Sequence, residues 1–165
     1  MNMNPTTTLL AIPNGKEGTK QTLNIMRDLV RRGKKSPAIR QFAVMLTNGL
    51  MQKDYFGEVE TIHNFIKDHI RYVRDVRNVE TIQTPERTLE NKAGDCDDKS
   101  TLAATLLEAI GHPTRFVAIG LHNQPYSHVF PETRVGNKWV SVETTEPVPL
   151  GWRPGNITSA MVVTN

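Results

Sequence analysis

The sequence predicts an α+β fold, with N-terminal helices and a central cysteine-bearing helix packed on an antiparallel sheet. Three observations lead to it. Apolar residues recur at helical spacing from Lys16 to Asp68, a capped apolar stretch begins at Cys96, and β-branched residues gather beyond Pro113 in segments separated by turn signals. At 165 residues the chain is long enough for one domain with a real core and too short for two well-buried ones. Residues 1–54 read as an N-terminal helical segment, 55–147 as the core around the cysteine, and 148–165 as an extended tail on the same compact unit.

The helices follow in order. Lys16 to Arg32 carries Leu23, Ile25, Met26, Leu29 and Val30 on one stripe, and Gly33 with two lysines ends it. A second helix is predicted from Pro37 to about Leu50, with proline in its first turn and Ile39, Phe42, Ala43 and Leu46 at helical spacing. Tyr55 to Asp68 forms a third, with Val59, Ile62, Phe65 and Ile66 inward. Ile70 to Val73 suits a short strand. Arg74 to Gly94 is polar, carries Pro85 and shows no sustained period, so it reads as a long surface connection of the kind that often carries function.

In Gly94-Asp95-Cys96-Asp97-Asp98-Lys99-Ser100, Asp95 is a good N-cap and Asp98 stands three residues on, as in a capping box. The stripe Leu102, Ala103, Leu106, Leu107 and Ile110 then runs to a stop at Gly111 and Pro113. Cys96 therefore occupies the first turn of a buried helix, on the packing face it shares with residues 100, 103, 107 and 110.

Three strands are expected next, Thr114 to Leu121, Ser127 to Val135 and Lys138 to Thr144, the last two joined at Gly136-Asn137 as a two-residue hairpin. Pro131 inside its strand points to an edge or a bulge. Glu146 to Asn165 is rich in Pro and Gly and reads as a tail with a last strand at Ala160 to Val163.

Composition excludes several classes. No apolar run reaches the roughly 20 residues of a membrane span, and Met1 to Gly15 has no basic region or long apolar stretch resembling a secretory signal. The net charge of +3 gathers at Arg27, Arg31, Arg32, Lys34 and Lys35, a solvated helix end, and no stacking aromatics interleave with it to suit nucleic acid. Asp95, Asp97 and Asp98 lack the loop spacing of a Ca²⁺ site, and one cysteine with His122 and His128 is no zinc ligand set, so neither metal nor cofactor is expected. The single cysteine rules out an internal disulfide and is either core filler or chemistry.

The chemical reading rests on its surroundings. Unpaired N–H groups at a helix start favour thiolate and can cradle an oxyanion, with the Cys96 N–H as one donor. Three neighbouring aspartates oppose thiolate, so a histidine partner is needed. If Gly136-Asn137 is a two-residue turn, Phe130 faces Glu143, and His128 shares that face as a diagonal neighbour roughly 7–8 Å away. Cys96, His128 and Glu143 are then a candidate nucleophile, base and orienter. His122 competes as base but sits beside the turn signal Asn123-Gln124-Pro125; Glu146 is the substitute carboxylate if the strand bulges. A one-residue slip would put Glu143 on the wrong face. Tyr72 and Asp95 are candidate oxyanion or cleft residues, Trp139 is read as core, His112 as a helix-end cation, and His63 and His69 have no partner suggested.

Gly94-Asp95-Cys96-Asp97-Asp98, then Ser127-His128-Val129, then Trp139-Val140-Ser141-Val142-Glu143-Thr144-Thr145 resembles the transglutaminase-like cysteine peptidase superfamily over Glu58 to Pro147. The resemblance implies a papain-like core and the roles just given, with Glu143 standing where the family usually has Asp. The whole-chain pattern is similar to short phage and prophage members. It implies a thiol-dependent amide hydrolase or acyl transferase, made in the bacterial cytoplasm and assembled into a virion tail, with a bacterial cell-wall peptide as substrate and phage structural proteins as partners. The alternative is a catalytically vestigial structural or adaptor subunit.

Overall fold

The computed structural model describes residues 10–76 and 80–165; residues 1–9, most of the leading stretch discussed above, and 77–79 lie outside it. The chain is α+β. In order it forms α1 (Gly15–Gly33), α2 (Pro37–Thr47), α3 (Tyr55–His69), β1 (Arg71–Tyr72), α4 (Pro85–Asn91), β2 (Ala93–Gly94), α5 (Cys96–Ala109), β3 (Thr114–Leu121), β4 (His128–Val135), β5 (Lys138–Ser141) and β6 (Ile157–Thr164). The last four strands make an antiparallel sheet ordered β5-β4-β3-β6, while β1 and β2 form a short parallel pair.

α5 is the pivot. Ser100 through Leu107 are all buried, as expected of a helix covered on every side. Leu102, Ala103, Leu106 and Leu107 pack with Ile39 and Ala43 of α2 and Ile62 and Ile66 of α3. Ala104 packs instead with Leu23, Met26 and Val30 of α1 and with Phe116 and Val129 of the sheet. Each buried leucine contributes about 1.5–3 kcal/mol, so the cysteine's helix is held rigidly. Gly33 permits the closest approach of α1: a Cβ there would lie 2.8 Å from Thr105 Cγ2. The other sheet face carries a smaller cluster of Val117, Ile119 and Phe130.

Four expectations are corrected. The segment read as a featureless connection contains α4, with Pro85 at its first position and Thr84 capping Arg87 N–H. Seven residues are too few for helical periodicity to register in a polar sequence. The last strand starts at Ile157 and pairs along the whole of β3, so the chain end is an edge strand of the main sheet. Pro131 lies on β4, an inner strand, where it faces Phe116 on one side. On the other side its carbonyl accepts from Val142 N–H at 2.8 Å, but proline cannot return the second bond of that pair. β5 accordingly ends at Ser141 rather than at Thr144.

Candidate active site

The cysteine is placed by a doubly capped helix start. Asp95 Oδ1 accepts from Asp98 N–H at 3.0 Å, and Asp98 Oδ2 accepts from Asp95 N–H at 3.3 Å, which completes the capping box. Asp98, 1% exposed, also accepts from Gln83 N–H and from Gln83 Nε2, each at 2.7 Å, tying the chain before α4 to the same point. Gly94 is required beside it, because a Cβ there would come within 2.5 Å of Asp98 Cβ. The β1–β2 pair then holds Tyr72 opposite Gly94.

β4 brings the histidine. The hairpin register is Val135 with Lys138, Arg134 with Trp139, Thr133 with Val140 and Glu132 with Ser141, the two-residue turn expected at Gly136-Asn137. Extended two pairs, it sets Glu143 opposite Phe130 and diagonal to His128. The carboxylate meets the ring: His128 Nε2 lies 2.5 Å from Glu143 Oε2. Glu143 Oε1 accepts from Thr145 N–H at 2.7 Å and from Glu146 N–H at 3.4 Å. Burial pushes the Glu143 carboxyl up, but the bonds from His128 and from these amides outweigh it and hold it below its usual range.

Cys96, His128, Val129, Tyr72, Asp95 and Asp97 border one cleft of about 710 Å³. The strand residue next to His128 reaches the sulfur, since the Val129 backbone amide hydrogen-bonds it and favours thiolate. Larger effects oppose this: burial first, then the charges of Asp97 and Asp95, push the thiol well above its ordinary value. The thiol donates to Asp97 Oδ1 at 3.6 Å, and among the described residues its side-chain partner is that carboxylate rather than the imidazole. Burial and neighbouring carboxylates raise Asp97 to about 8 and Asp95 to about 6.

The remaining candidates are placed as follows. His122 is exposed in its turn beside Asn156 and does not border the cleft. Glu146 is exposed and touches Glu143 only through its backbone. Tyr72 borders the cleft at 42% exposure, and Asp95 borders it with its Oδ1 committed to the cap. Trp139 is half-buried beneath the Arg115 guanidinium, 4.3 Å from the ring centre. His112 pairs with Glu58 at 2.6 Å. His63, for which the sequence suggested no partner, bonds the Glu143 carbonyl at 2.7 Å. Its signal was there to be read, as it falls on the buried stripe of α3 among Val59, Ile62 and Ile66. Lys99 was also missed; it is 2% exposed and donates to the Ile70 carbonyl at 2.7 Å. Among the described residues no cluster of three or more His, Cys, Asp or Glu is arranged to hold a metal ion. Nor is any described helix long and apolar enough to cross a membrane.

The model of the transglutaminase-like superfamily matches residues 40–144, more than half of the sequence, and the chain belongs to that superfamily. Among solved structures, it is similar to a candidate cysteine protease from Cytophaga hutchinsonii, at 18% identity and a TM-score of 0.59 over 86% of this chain and 52% of that one. It is also similar to a candidate protease from Parabacteroides distasonis, at 17% identity and a TM-score of 0.65 over 98% of this chain and 34% of that one. At such identities the likeness is one of fold, and this chain spans about half and about a third of those proteins. No curated protein matches it.

Proposed function

We propose that the chain is a thiol-dependent amide-bond hydrolase or acyl transferase working through an acyl-enzyme. One observation carries this reading: the single cysteine, at the start of a buried helix, borders the same cleft as an imidazole whose Nε2 is fixed by a buried carboxylate. With Nε2–H committed to Glu143, Nδ1 is the ring atom left to take a proton.

The thiol is neutral at rest, so its proton passes to His128 Nδ1 as sulfur attacks the substrate carbonyl carbon. The C=O electron pair moves to oxygen, where α5's first amides, Cys96 N–H among them, are suited to receive the negative charge. Collapse breaks the C–N bond, the imidazolium returns its proton to the leaving amine, and a thioester remains. Water or a second amine then attacks the thioester, giving its proton to Nδ1, and thiol is regenerated. Glu143, ionised throughout, holds the ring and stabilises the transient imidazolium.

Resemblance to short phage members extends this reading to bacterial cell-wall peptides as substrates and to phage structural proteins as partners, on sequence pattern alone. The rival reading, a catalytically silent structural subunit, draws on one observation: the thiol bonds Asp97 and not the imidazole. The test uses hydroxylamine and casein as generic acceptor and donor, with iodoacetamide as probe of the lone thiol. Hydroxamate formation or casein cleavage that disappears in Cys96→Ala, with alkylation slowed in His128→Ala, supports the enzyme. Alkylation at the same rate in wild type and His128→Ala, with no turnover, supports the silent subunit.

A further inference from the structure

Glu143 stands past the end of β5, so sheet pairing does not fix its main chain. It is held from the opposite side. His63, 0% exposed on the inner stripe of α3, donates from Nε2 to the Glu143 carbonyl at 2.7 Å. A carbonyl only accepts, so Nε2 carries the proton. Burial is the largest influence on the ring and holds its pKa down, while Nδ1 lies 3.2 Å from Asn64 Oδ1, which also accepts from Lys67 Nζ at 3.3 Å. Glu143 is thus gripped twice, its backbone by α3 and its carboxylate by the Thr145 and Glu146 amides and by His128.

We propose that His63 is the positioning residue of the candidate triad: by fixing the Glu143 main chain against α3, it sets where the carboxylate meets His128. The inference rests on the acyl-enzyme reading above. His63 touches neither cleft nor thiol, so it acts only through Glu143. The other charged groups facing this point are Lys67 and Asp68 on α3, Lys99 on α5, whose charge faces Glu143, and His128 on β4. Displacing a catalytic group by about 1 Å costs on the order of 100-fold, and loss of one of several anchors should cost on the order of ten-fold.

The test is a double-mutant cycle read by iodoacetamide alkylation of Cys96 across neutral pH, with thermal stability measured alongside. His63→Leu, which removes the donor, should slow alkylation about ten-fold, whereas His63→Gln, which retains a donor, should restore most of the rate. In a Glu143→Gln background, His63→Leu should cost stability as before yet leave the rate unchanged. The same fractional rate loss in both backgrounds, or a His63→Gln protein as slow as His63→Leu, overturns the proposal. Should His63→Leu not fold, His63→Asn, whose amide falls short of the carbonyl, takes its place. If His128→Ala leaves alkylation untouched, the acyl-enzyme reading fails; if His128→Ala slows it while His63→Leu does not, this inference alone fails.

Discussion

Asp97→Asn should release the thiol, and by an amount that depends on pH. The Asp97 Oδ1 atom lies 3.6 Å from the sulfur. Two full negative charges at that distance repel by roughly 4–5 kcal/mol at an effective dielectric of about 20, and by about half that beside an open cleft. About 2 kcal/mol is about 1.5 pKa units, or an approximately 30-fold change in thiolate fraction. A less basic thiolate is also a poorer nucleophile, and with a Brønsted slope of about 0.45 the net gain in alkylation rate falls to about 6-fold. Asp97 itself titrates at about 8, so below that pH it keeps its proton and repels little. The ratio of variant to wild-type rate should therefore rise from near unity at about pH 6.5 to about 6-fold at about pH 9.5. Stopped alkylation with iodoacetamide, read by intact mass, measures it on the only thiol in the chain. A ratio independent of pH, or a variant slower than wild type, would refute the claim that this carboxylate restrains the thiol.

Further outcomes concern stability and packing. Glu143 has its folded pKa lowered from 4.5, so its contribution is present above that value and is lost as pH falls through the folded pKa. Glu143→Gln should flatten the acid limb of a plot of urea midpoint against pH, and an unchanged acid limb would contradict the bond network around it. Lys99 has its folded pKa lowered from 10.5 to about 8 by burial, so the unfolded chain binds the extra proton and stability should rise with pH between those values. Lys99→Met removes a burial cost of about 3 kcal/mol at neutral pH but strands the Ile70 carbonyl at about 1–3 kcal/mol, so its stability should stay within about 1–2 kcal/mol of wild type while the alkaline rise disappears. Gly18→Ala would set a Cβ 1.7 Å from the Pro13 carbonyl oxygen, where the segment before α1 closes against it beside the cleft. A loss of about 1–3 kcal/mol in urea unfolding is expected, and none would mean that this contact yields freely.

Much of this architecture is local and could be read from residue order. The capping box at Asp95 and Asp98, the stop at Gly111, and the Gly136-Asn137 turn each depend on neighbours a few positions apart. From the turn alone the hairpin register follows, and with it the meeting of His128 and Glu143, because side chains alternate strictly along a strand. What depends on long-range packing was not legible. α4 is too short and polar to declare itself, and the pairing of β6 with β3 joins segments far apart in the chain. The partner of His63 lies 80 residues away, and that of Lys99 lies 29 away. Helical spacing puts His63 on a buried stripe but names no partner for it, and nothing local marks the partner of Lys99. Which side chain the thiol meets likewise depends on a cleft built from five segments, where burial and the charges of Asp97 and Asp95 outweigh the helix start that sequence alone would credit with making a thiolate.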